Sequence, residues 1–272
     1  MVDASALVST GPRHVPVAQE HTVAPAEQST TRSAQREQRA ARILDAAGDL
    51  LVIWGYPKIT IEDVARRAGV GKGTVYLHFP TKEVLFLVVL LRSQSEITDR
   101  LASTMRRGPE GVLPSSMART TYLSVREVPV VHALVTGRAE TLGTLARTAA
   151  EYSEDLVGDR ITTSRAYFDL LIGHGLLRTD RSRDDLLYAF TSVMTGFLLA
   201  EPFVTAQPGL FRPESPGHRA DLLADTVRAA LGETGTAEAL TAAWPEVAAL
   251  YEELARGARA EVDRYLQSAR ET

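Results

Sequence analysis

The sequence contains no cysteine, which excludes disulfides, thiol catalysis and cysteine-based zinc sites. This absence suits a reducing compartment, and we expect a cytoplasmic protein. The longest apolar run, at 84–91, is less than half the length of a membrane-spanning helix. No apolar core follows basic residues near the N-terminus. We therefore expect no membrane partner and no secretory signal.

Patterns that carry catalysis or bind metals are also scarce. The sequence shows no Ser-His-Asp arrangement and no HExxH motif, and its six histidines are scattered along the chain. We expect no enzyme activity, no cofactor and no metal site. Strand-type alternation of apolar and polar residues is absent as well, so the predicted fold is all-α.

Charge of one sign is concentrated in a single stretch of the chain. Residues 32–82 hold nine basic and five acidic side chains, a net charge of +4, within a chain whose net charge is −4. The remainder of the chain is therefore at −8. All three lysines, Lys58, Lys72 and Lys82, fall in this stretch. A basic module on an acidic body is typical of a protein that contacts phosphates with one end only.

Helical periodicity and breaker residues divide the chain into four parts. Residues 1–31 lack apolar periodicity and are predicted to form a disordered tail. A three-helix unit is predicted at 32–80, a helical body at 81–232 and a C-terminal helical extension at 233–272. The predicted helices span about 35–54, 60–68, 71–78, 81–107, 114–126, 129–139, 145–174, 184–201, 218–231 and 242–270.

Residues Gly69–Thr74, GVGKGT, are similar to part of a phosphate-binding loop. Such a loop needs a glycine five residues before the Gly-Lys pair, where Arg66 stands, and a strand before the loop. The preceding residues repeat at helical spacing instead. A phosphate-loop enzyme is therefore the less favoured alternative. Two short helices joined by a glycine turn predict a helix-turn-helix.

The second helix of a helix-turn-helix lies in the major groove of DNA, while its neighbours grip the phosphates. Val75 and Phe79 are predicted to face the core, and Gly73 and Leu77 to face DNA. A glycine lets DNA approach the backbone, and an exposed leucine meets a thymine methyl group. A buried helical hairpin is the alternative, but it leaves Leu77 without a packing partner. The remaining candidate contacts are Lys72, Thr74, Tyr76, His78 and Lys82.

The run TIEDVARRAGVGKGTVYLHFPTKEVL, residues 60–85, resembles the DNA-binding signature of the TetR family of bacterial transcriptional regulators. The threonine, the ARRAGV turn, the recognition helix and the PTKE segment follow in the family's order without gaps. The resemblance adds Thr60 to the DNA-binding residues. Gly71 departs from the family, because many relatives have a Ser or Thr N-cap there. We expect this glycine to weaken the helix start by roughly a few tenths of a kcal/mol.

The same resemblance implies a function for the body. Members of the family bind a small-molecule effector there and dimerise, so the resemblance implies a homodimeric repressor that an effector releases from a pseudo-palindromic operator in double-stranded DNA. A constitutive DNA-binding dimer without an effector is the alternative. The helices at 184–201 and 218–231 are implied to form the dimer interface. The implied ligand-binding residues, expected to surround a largely apolar cavity, are Tyr122, His132, Tyr152, Phe168, His174, Phe190 and Met194.

The C-terminal extension carries an apolar seam that is less standard for the family. Its members repeat at alternating spacings of three and four, which is typical of a helix packed along one side. The sequence leaves open whether this helix packs on its own body or on a partner subunit. The seam consists of Trp244, Val247, Tyr251, Leu254 and Ala258.

Overall fold

Local start and stop signals place the helices along the chain. Ser and Thr side chains cap helix starts, as Thr81 does by accepting a hydrogen bond from the backbone N–H of Val84. Glycines in the left-handed conformation end others, as Gly69 (φ 68°) and Gly232 (φ 57°) do. Proline stands at the first position of several helices, where its missing N–H costs nothing.

The computed structural model describes residues 25–136, 154–207 and 215–268, and within these ranges its helices confirm the predicted all-α class. Two short 3₁₀ turns, Tyr56–Lys58 and Pro109–Val112, connect them. The helices are α1 Pro25–Trp54, α2 Ile61–Ala68, α3 Lys72–His78, α4 Lys82–Arg106, α5 Pro114–Glu127, α6 Pro129–Thr136, α7 Glu154–Gly173, α8 Arg183–Ala206, α9 Pro216–Leu231 and α10 Ala237–Ser268.

The chain divides into two units between Arg36 and Glu37. Of the first unit, the structure describes only the beginning of α1, from Pro25 onward. The predicted tail is therefore wrong over 25–31, because these residues are helical. Residues 1–24 lie outside the described part of the chain. All further description concerns the second unit.

The head of the second unit is a small core of aliphatic side chains. Ile43 and Leu50 of α1, Val64 of α2 and Val75 of α3 are each almost fully buried in it. The first turns of α4 close the same core with Leu85 and other side chains. Helices α1, α2 and α3 thus share one core, and the first part of α4 belongs to it.

The body is a second core, built from α5, α7, α8, α9 and α10 around the later part of α4. Aromatic side chains fill much of it, and the rings of Tyr167 and Tyr251 meet edge to face with centroids 5.5 Å apart. The hydroxyl of Tyr167 donates a hydrogen bond of 2.7 Å to the carbonyl of Val112. Ala102 and Met105 contribute from α4. Helix α4 is therefore part of both cores.

Helix α10 lies antiparallel along α4 and contacts both cores. Near its start, the indole N–H of Trp244 donates a 2.7 Å hydrogen bond to the carbonyl of Met105. Farther on, Arg259 pairs with Asp99. Val262 then packs with Leu87 near the beginning of α4. The predicted seam therefore packs on its own chain, with Val247, Tyr251 and Ala258 buried.

Within the described ranges, no single helix is long and apolar enough to cross a bilayer. Helices α3 and α4 reach that length and composition only together, across a bend of 62°. The apolar run at the beginning of α4 is buried in the protein, with Leu85, Leu87 and Val88 fully inside. Core packing therefore accounts for this run.

Candidate DNA-binding surface and ligand cavity

The turn between α2 and α3 is set by glycine. Gly69 adopts φ 68° and ψ 39°, a left-handed conformation that side chains rarely adopt, and its N–H bonds back to the last turn of α2. Residues 69–71 thus join α2 to α3, whereas a phosphate-binding loop joins a strand to a helix. The geometry is that of a helix-turn-helix.

Thr60 and Asp63 fix the start of α2 through a capping box. The threonine hydroxyl oxygen accepts from the Asp63 N–H at 3.2 Å, and the Asp63 carboxylate accepts from the Thr60 N–H at 3.1 Å. The hydrogen bond from the Thr60 hydroxyl is the main reason why the pKa of Asp63 is lowered. The predicted cap is confirmed, and it occupies the hydroxyl that the resemblance assigned to DNA.

Helix α3 has one buried face and one exposed face, as predicted. Val75 and Phe79 are buried, while Tyr76 and Leu77 are 44% and 66% exposed. Gly73 is exposed too, and a Cβ atom added to it would meet nothing within 4 Å. The N-cap of α3, Gly71, makes no side-chain capping hydrogen bond, because glycine lacks the hydroxyl of a Ser or Thr cap. The open backbone at Gly73 and the two large side chains form one accessible surface.

His78 is buried, whereas the sequence predicted it among the DNA-contacting residues of α3. Its side chain is only 5% exposed, and its ring lies 6.2 Å from that of Phe79, centroid to centroid. The prediction that His78 lies on the exposed surface is therefore wrong. Position 78 is three residues after Val75, on the same side of α3, and the packing of that side on the head core buries the ring. Thr74 is partly exposed.

The two predicted cations occupy different environments. Lys72 is exposed and pairs with Glu62 of α2, and this hydrogen bond is the main cause of its raised pKa. Lys82 is half-buried, and its ammonium donates a 2.9 Å hydrogen bond to the carbonyl of Tyr56. It also lies 4.2 Å from the centroid of the Tyr56 ring. Burial lowers the pKa of Lys82.

Tyr56 is a residue of this site that sequence reasoning missed. Its hydroxyl donates to Glu83 at 3.3 Å, so both of the first residues of α4 are tied to it. Burial, followed by the nearby Glu83 carboxylate, raises the pKa of Tyr56 to about 12. Lys82 therefore fastens the beginning of α4 to the 3₁₀ turn before α2, in addition to supplying charge near α3.

The body contains a cavity of about 480 Å³ between α5, α7, α8 and α10. This volume is within the range of about 300–1,000 Å³ that is usual for small-molecule sites. Its apolar walls come from all four helices. The lining residues are Met117, Arg160, Ile161, Ser164, Arg165, Tyr167, Phe168, Asp184, Leu187, Phe190, Thr191 and Tyr251.

Two of the predicted ligand-binding residues, Phe168 and Phe190, line this cavity, with ring centroids 5.9 Å apart. Tyr122 and Met194 are instead packed in the body core, outside the lining. The aromatic residues of α7 and α8 are therefore the part of the predicted ligand-binding set that the structure brings together.

The two predicted histidines do not line the cavity. The Nε2 atom of His174 lies 3.2 Å from a carboxylate oxygen of Glu246 on α10. His132 is half-buried on α6, away from the lining residues. The prediction that His132 and His174 line the ligand cavity is therefore wrong for the cavity described above. Tyr152 lies outside the described residues. Sequence reasoning missed Arg160 and Tyr251, since their approach depends on how α7 and α10 pack.

A row of exposed side chains follows the outer face of α8. Tyr188 and Phe203 are 77% and 73% exposed, and Leu199 lies between them. Positions 188, 192, 195, 199 and 203 recur every three or four residues, so they share one face of the helix. On the neighbouring α9, Leu222 is also exposed. Large apolar side chains in such a row are typical of a protein–protein contact.

Comparison with known proteins agrees with this geometry. Residues 43–89 match the family model described as bacterial regulatory proteins, tetR family. The uncharacterized HTH-type transcriptional regulator TtgW of Pseudomonas putida is 43% identical over 61 residues, which make up 22% of this chain and 46% of that protein. The HTH-type transcriptional repressor KstR of Mycobacterium tuberculosis is 38% identical over 105 residues, or 38% of this chain and 47% of that protein.

Each of these two matches covers less than half of the relative's length. A solved structure, the fatty acid degradation regulator FadR from Bacillus halodurans, shares the fold more widely, with a TM-score of 0.52 over 71% of this chain and 94% of that one, at 14% identity. The geometry defines a helix-turn-helix head joined to an all-helical body. Residues 43–89 thus match the DNA-binding head of the TetR family, and the body shares its fold with that solved structure.

Proposed function

We propose that this protein is a homodimeric transcriptional repressor that binds a pseudo-palindromic DNA operator and is released by a small-molecule effector. The observation that carries the proposal is the exposed surface of α3. Tyr76, Leu77 and the open backbone of Gly73 face outward, while Val75 and Phe79 hold the opposite face in the core. A short helix held in this way presents its side chains to base edges.

Charge supports the same assignment. The stretch 32–82 carries a net +4 in a chain of net −4, and Lys58, Lys72 and Lys82 all lie within it. Lys72 is exposed near the start of α3, where its paired carboxylate, Glu62, is exposed too. A solvated pair of this kind is weak, so a phosphate can replace the carboxylate. Binding should therefore weaken steeply as salt increases.

A matched pair of substitutions tests the DNA-binding surface. The operator is first selected from a pool of random DNA, and affinity is then measured by fluorescence anisotropy. Leu77→Ala is expected to weaken operator binding about tenfold or more, since a base-edge contact contributes about 1–3 kcal/mol. Ile53→Ala is the control, because Ile53 is 62% exposed on α1 and has no assigned contact with DNA.

Tyr76→Ala extends the same test to the aromatic residue. We expect weaker operator binding and an unchanged melting temperature, because the side chain is half in solvent. Equal affinity of the wild type, the Leu77 variant and the Tyr76 variant would remove α3 as the recognition helix.

The exposed face of α8 is the proposed dimer contact, together with α9. Two such helices from each subunit form a symmetric four-helix contact, which places the same residues of both copies against each other. Phe203→Glu puts a charge in this face and should convert the dimer to a monomer in sedimentation velocity. Operator affinity should fall with it, because one subunit reads only one half-site. A dimer that persists in this variant would contradict the assignment.

The effector is proposed to bind in the body cavity. Its walls come from α5, α7, α8 and α10, and α8 also carries the proposed dimer contact. An effector that fits the DNA-free arrangement better shifts the population towards it, and linkage requires operator DNA to weaken effector binding by the same factor. The cavity favours this function over a constitutive DNA-binding dimer. A compound that binds in the cavity with an affinity that ignores operator DNA would favour the constitutive dimer.

A further inference from the structure

The cavity in the body has a cationic side. Arg160 and Arg165 of α7 line it, and among the lining residues that the structure describes Asp184 of α8 is the one acidic side chain. The guanidinium of Arg165 lies 4.0 Å from Asp184, which is also 3.0 Å from Arg183. The carboxylate of Asp184 is therefore shared between two arginines, and the described lining residues together carry a net positive charge.

Arg160 is the unusual member of this group. Its side chain is half-buried, and burial lowers its pKa. The described ion pairs of α7 join Arg165 to Asp184 and Asp169 to Arg183, and neither of them includes Arg160. A guanidinium that is withdrawn from water without a counter-ion is unfavourable, and an anion in the cavity removes that cost. Arg160 is thus suited to receive an oxyanion, which a guanidinium binds through paired hydrogen bonds.

The rest of the lining is mainly apolar. Met117, Phe168, Leu187 and Phe190 meet there, and the buried Tyr251 adds its ring from α10. The hydroxyl of Tyr251 approaches the sulfur of Met117 at 3.6 Å, so the ring face contributes to the apolar wall. A ligand that fills about 480 Å³ of such space gains most of its affinity from apolar contact.

We infer that the effector is an amphipathic anion, with an apolar body against Phe168, Phe190 and Tyr251 and an oxyanion head on Arg160 and Arg165. The inference rests on the proposed function, in which this cavity is the effector site. A carboxylate and a phosphate share the oxyanion chemistry, and their sources differ, so both are tested. Neutral and cationic molecules of the same shape are expected to bind more weakly than the anion.

Direct binding to the full chain tests the inference without DNA. The probes are decanoate, decyl phosphate, decanol and decylammonium, each used below its micelle concentration in isothermal titration calorimetry. We expect at least one of the two anions to bind about tenfold or more tightly than decanol, the gain of a charge-assisted hydrogen bond, and decylammonium to bind most weakly. Comparing decanoate with decyl phosphate shows which head group the two arginines prefer.

Variants assign the charge preference to residues. Arg160→Met should reduce the anion-to-alcohol ratio to about one while leaving decanol affinity unchanged. The exposed Arg181, outside the lining, provides the control Arg181→Met, which should preserve the ratio. Phe190→Ala should weaken the anion and the alcohol together. Since Arg160 has no described counter-ion, Arg160→Met should not lower the melting temperature of the ligand-free protein, whereas loss of a structural ion pair would lower it.

The possible results separate this inference from the proposed function. Equal binding of anion and alcohol, tighter binding of the amine, or a preference for the anion that survives Arg160→Met overturns the inference. Absence of binding by all four probes overturns it as well, even when operator binding by α3 is intact. An anion that binds through Arg160 but leaves operator affinity unchanged upholds the binding site, and it removes the effector-released repressor from the proposed function.

Discussion

The head and the body are held together by contacts of different range. In the head, local contacts fix the ends of the short helices, such as the Thr60–Asp63 capping box and the glycine turn at Gly69. In the body, the supporting contacts join distant parts of the chain, and both oxygens of the Glu233 carboxylate accept hydrogen bonds of 2.6 Å from Ser115, which is 118 residues away. The head is therefore a small scaffold with the proposed DNA-binding residues on the outside, while distant parts of the body come together around a cavity.

This difference predicts how substitutions affect the stability and function of each region. Loss of one distant contact should loosen a whole layer of the body, whereas loss of one local contact should weaken a single short helix. Function should respond differently too. Changes on the outer face of the head should alter DNA binding at constant stability, while changes in the body should alter stability and ligand binding together.

Deletion of 237–272 is expected to have the largest effect, since it removes the long-range packing of α10. Trp244, Val247 and Tyr251 leave the body core in this truncation. Loss of one large core side chain alone costs about 3–5 kcal/mol, so the melting temperature should fall by roughly 10 °C or more. Differential scanning calorimetry measures it, and Arg256→Ala, exposed on the same helix, is the control. A truncated protein of equal stability would show that α10 is an appendage.

A pair of glycines should give the next largest effect, with opposite signs in the two regions. A Cβ atom at Gly111 would lie 2.5 Å from the carbonyl oxygen of Thr104, a backbone atom, so Gly111→Ala should destabilise the protein by about 1–3 kcal/mol. A Cβ atom at Gly73 meets nothing, so Gly73→Ala should stabilise α3 by up to about 1 kcal/mol. Urea denaturation measures both changes.

The Gly73 variant also separates stability from function. If DNA approaches the backbone of α3, the added methyl group should weaken operator binding even though the protein is more stable. A Gly73→Ala protein with unchanged operator affinity would place the DNA elsewhere on the head. Lower stability of this variant would contradict the open space around Gly73.

Loss of a local cap should have a smaller effect. Thr60→Ala removes the hydroxyl that accepts from the Asp63 N–H, and we expect a loss of about 1 kcal/mol from the free energy of unfolding. Thr60→Ser restores the hydroxyl and should recover most of this loss. If the serine variant is as unstable as the alanine variant, the methyl group of Thr60 and not the cap is responsible.

The smallest expected effect is a dependence on pH in the body. Burial raises the pKa of Glu233 above its usual value, although the hydrogen bonds from Ser115 oppose this. Because its folded-state pKa is higher than its unfolded-state pKa, protonation favours the folded state. The contribution of Glu233 to stability should therefore decline as pH rises through the folded pKa. Urea denaturation of the wild type and of Glu233→Gln, from pH 4 to pH 7, measures this contribution. If the stabilities of the two proteins change in parallel with pH, Glu233 makes no such contribution.

Predictability from sequence follows the same division. The predicted helices at 60–68, 71–78 and 81–107 agree with α2, α3 and α4 to within one residue, because Thr60, Gly69 and Thr81 fix their ends locally. His78 was misplaced, since its burial depends on how α3 rests on the head core. Capping and periodicity decide the first kind of feature, and packing decides the second.

In the body, packing between distant helices determines the positions of side chains more often than local sequence does. His174 contacts Glu246, which is 72 residues away, and a pattern on one helix does not contain that contact. The C-terminal helix was predicted to start near 242, but it begins at Ala237 and carries Pro245 in its interior. The cavity lining combines α5, α7, α8 and α10, so Phe168 and Phe190 were predictable as aromatic residues of the body, while the role of Arg160 was not.

The antiparallel contact between α4 and α10 has a mechanical consequence. Helix α4 has 25 residues and is about 38 Å long, and on its own a rod of that length bends readily. With α10 against its side, α4 can bend only if contacts such as Trp244 to Met105 and Val262 to Leu87 are lost. The two packed helices therefore form one stiff unit, which shifts or rotates as a whole more easily than it bends. Tyr251 lies against the cavity and Leu266 against the head core, so the pair of helices α4 and α10 connects the cavity to the head as one stiff unit.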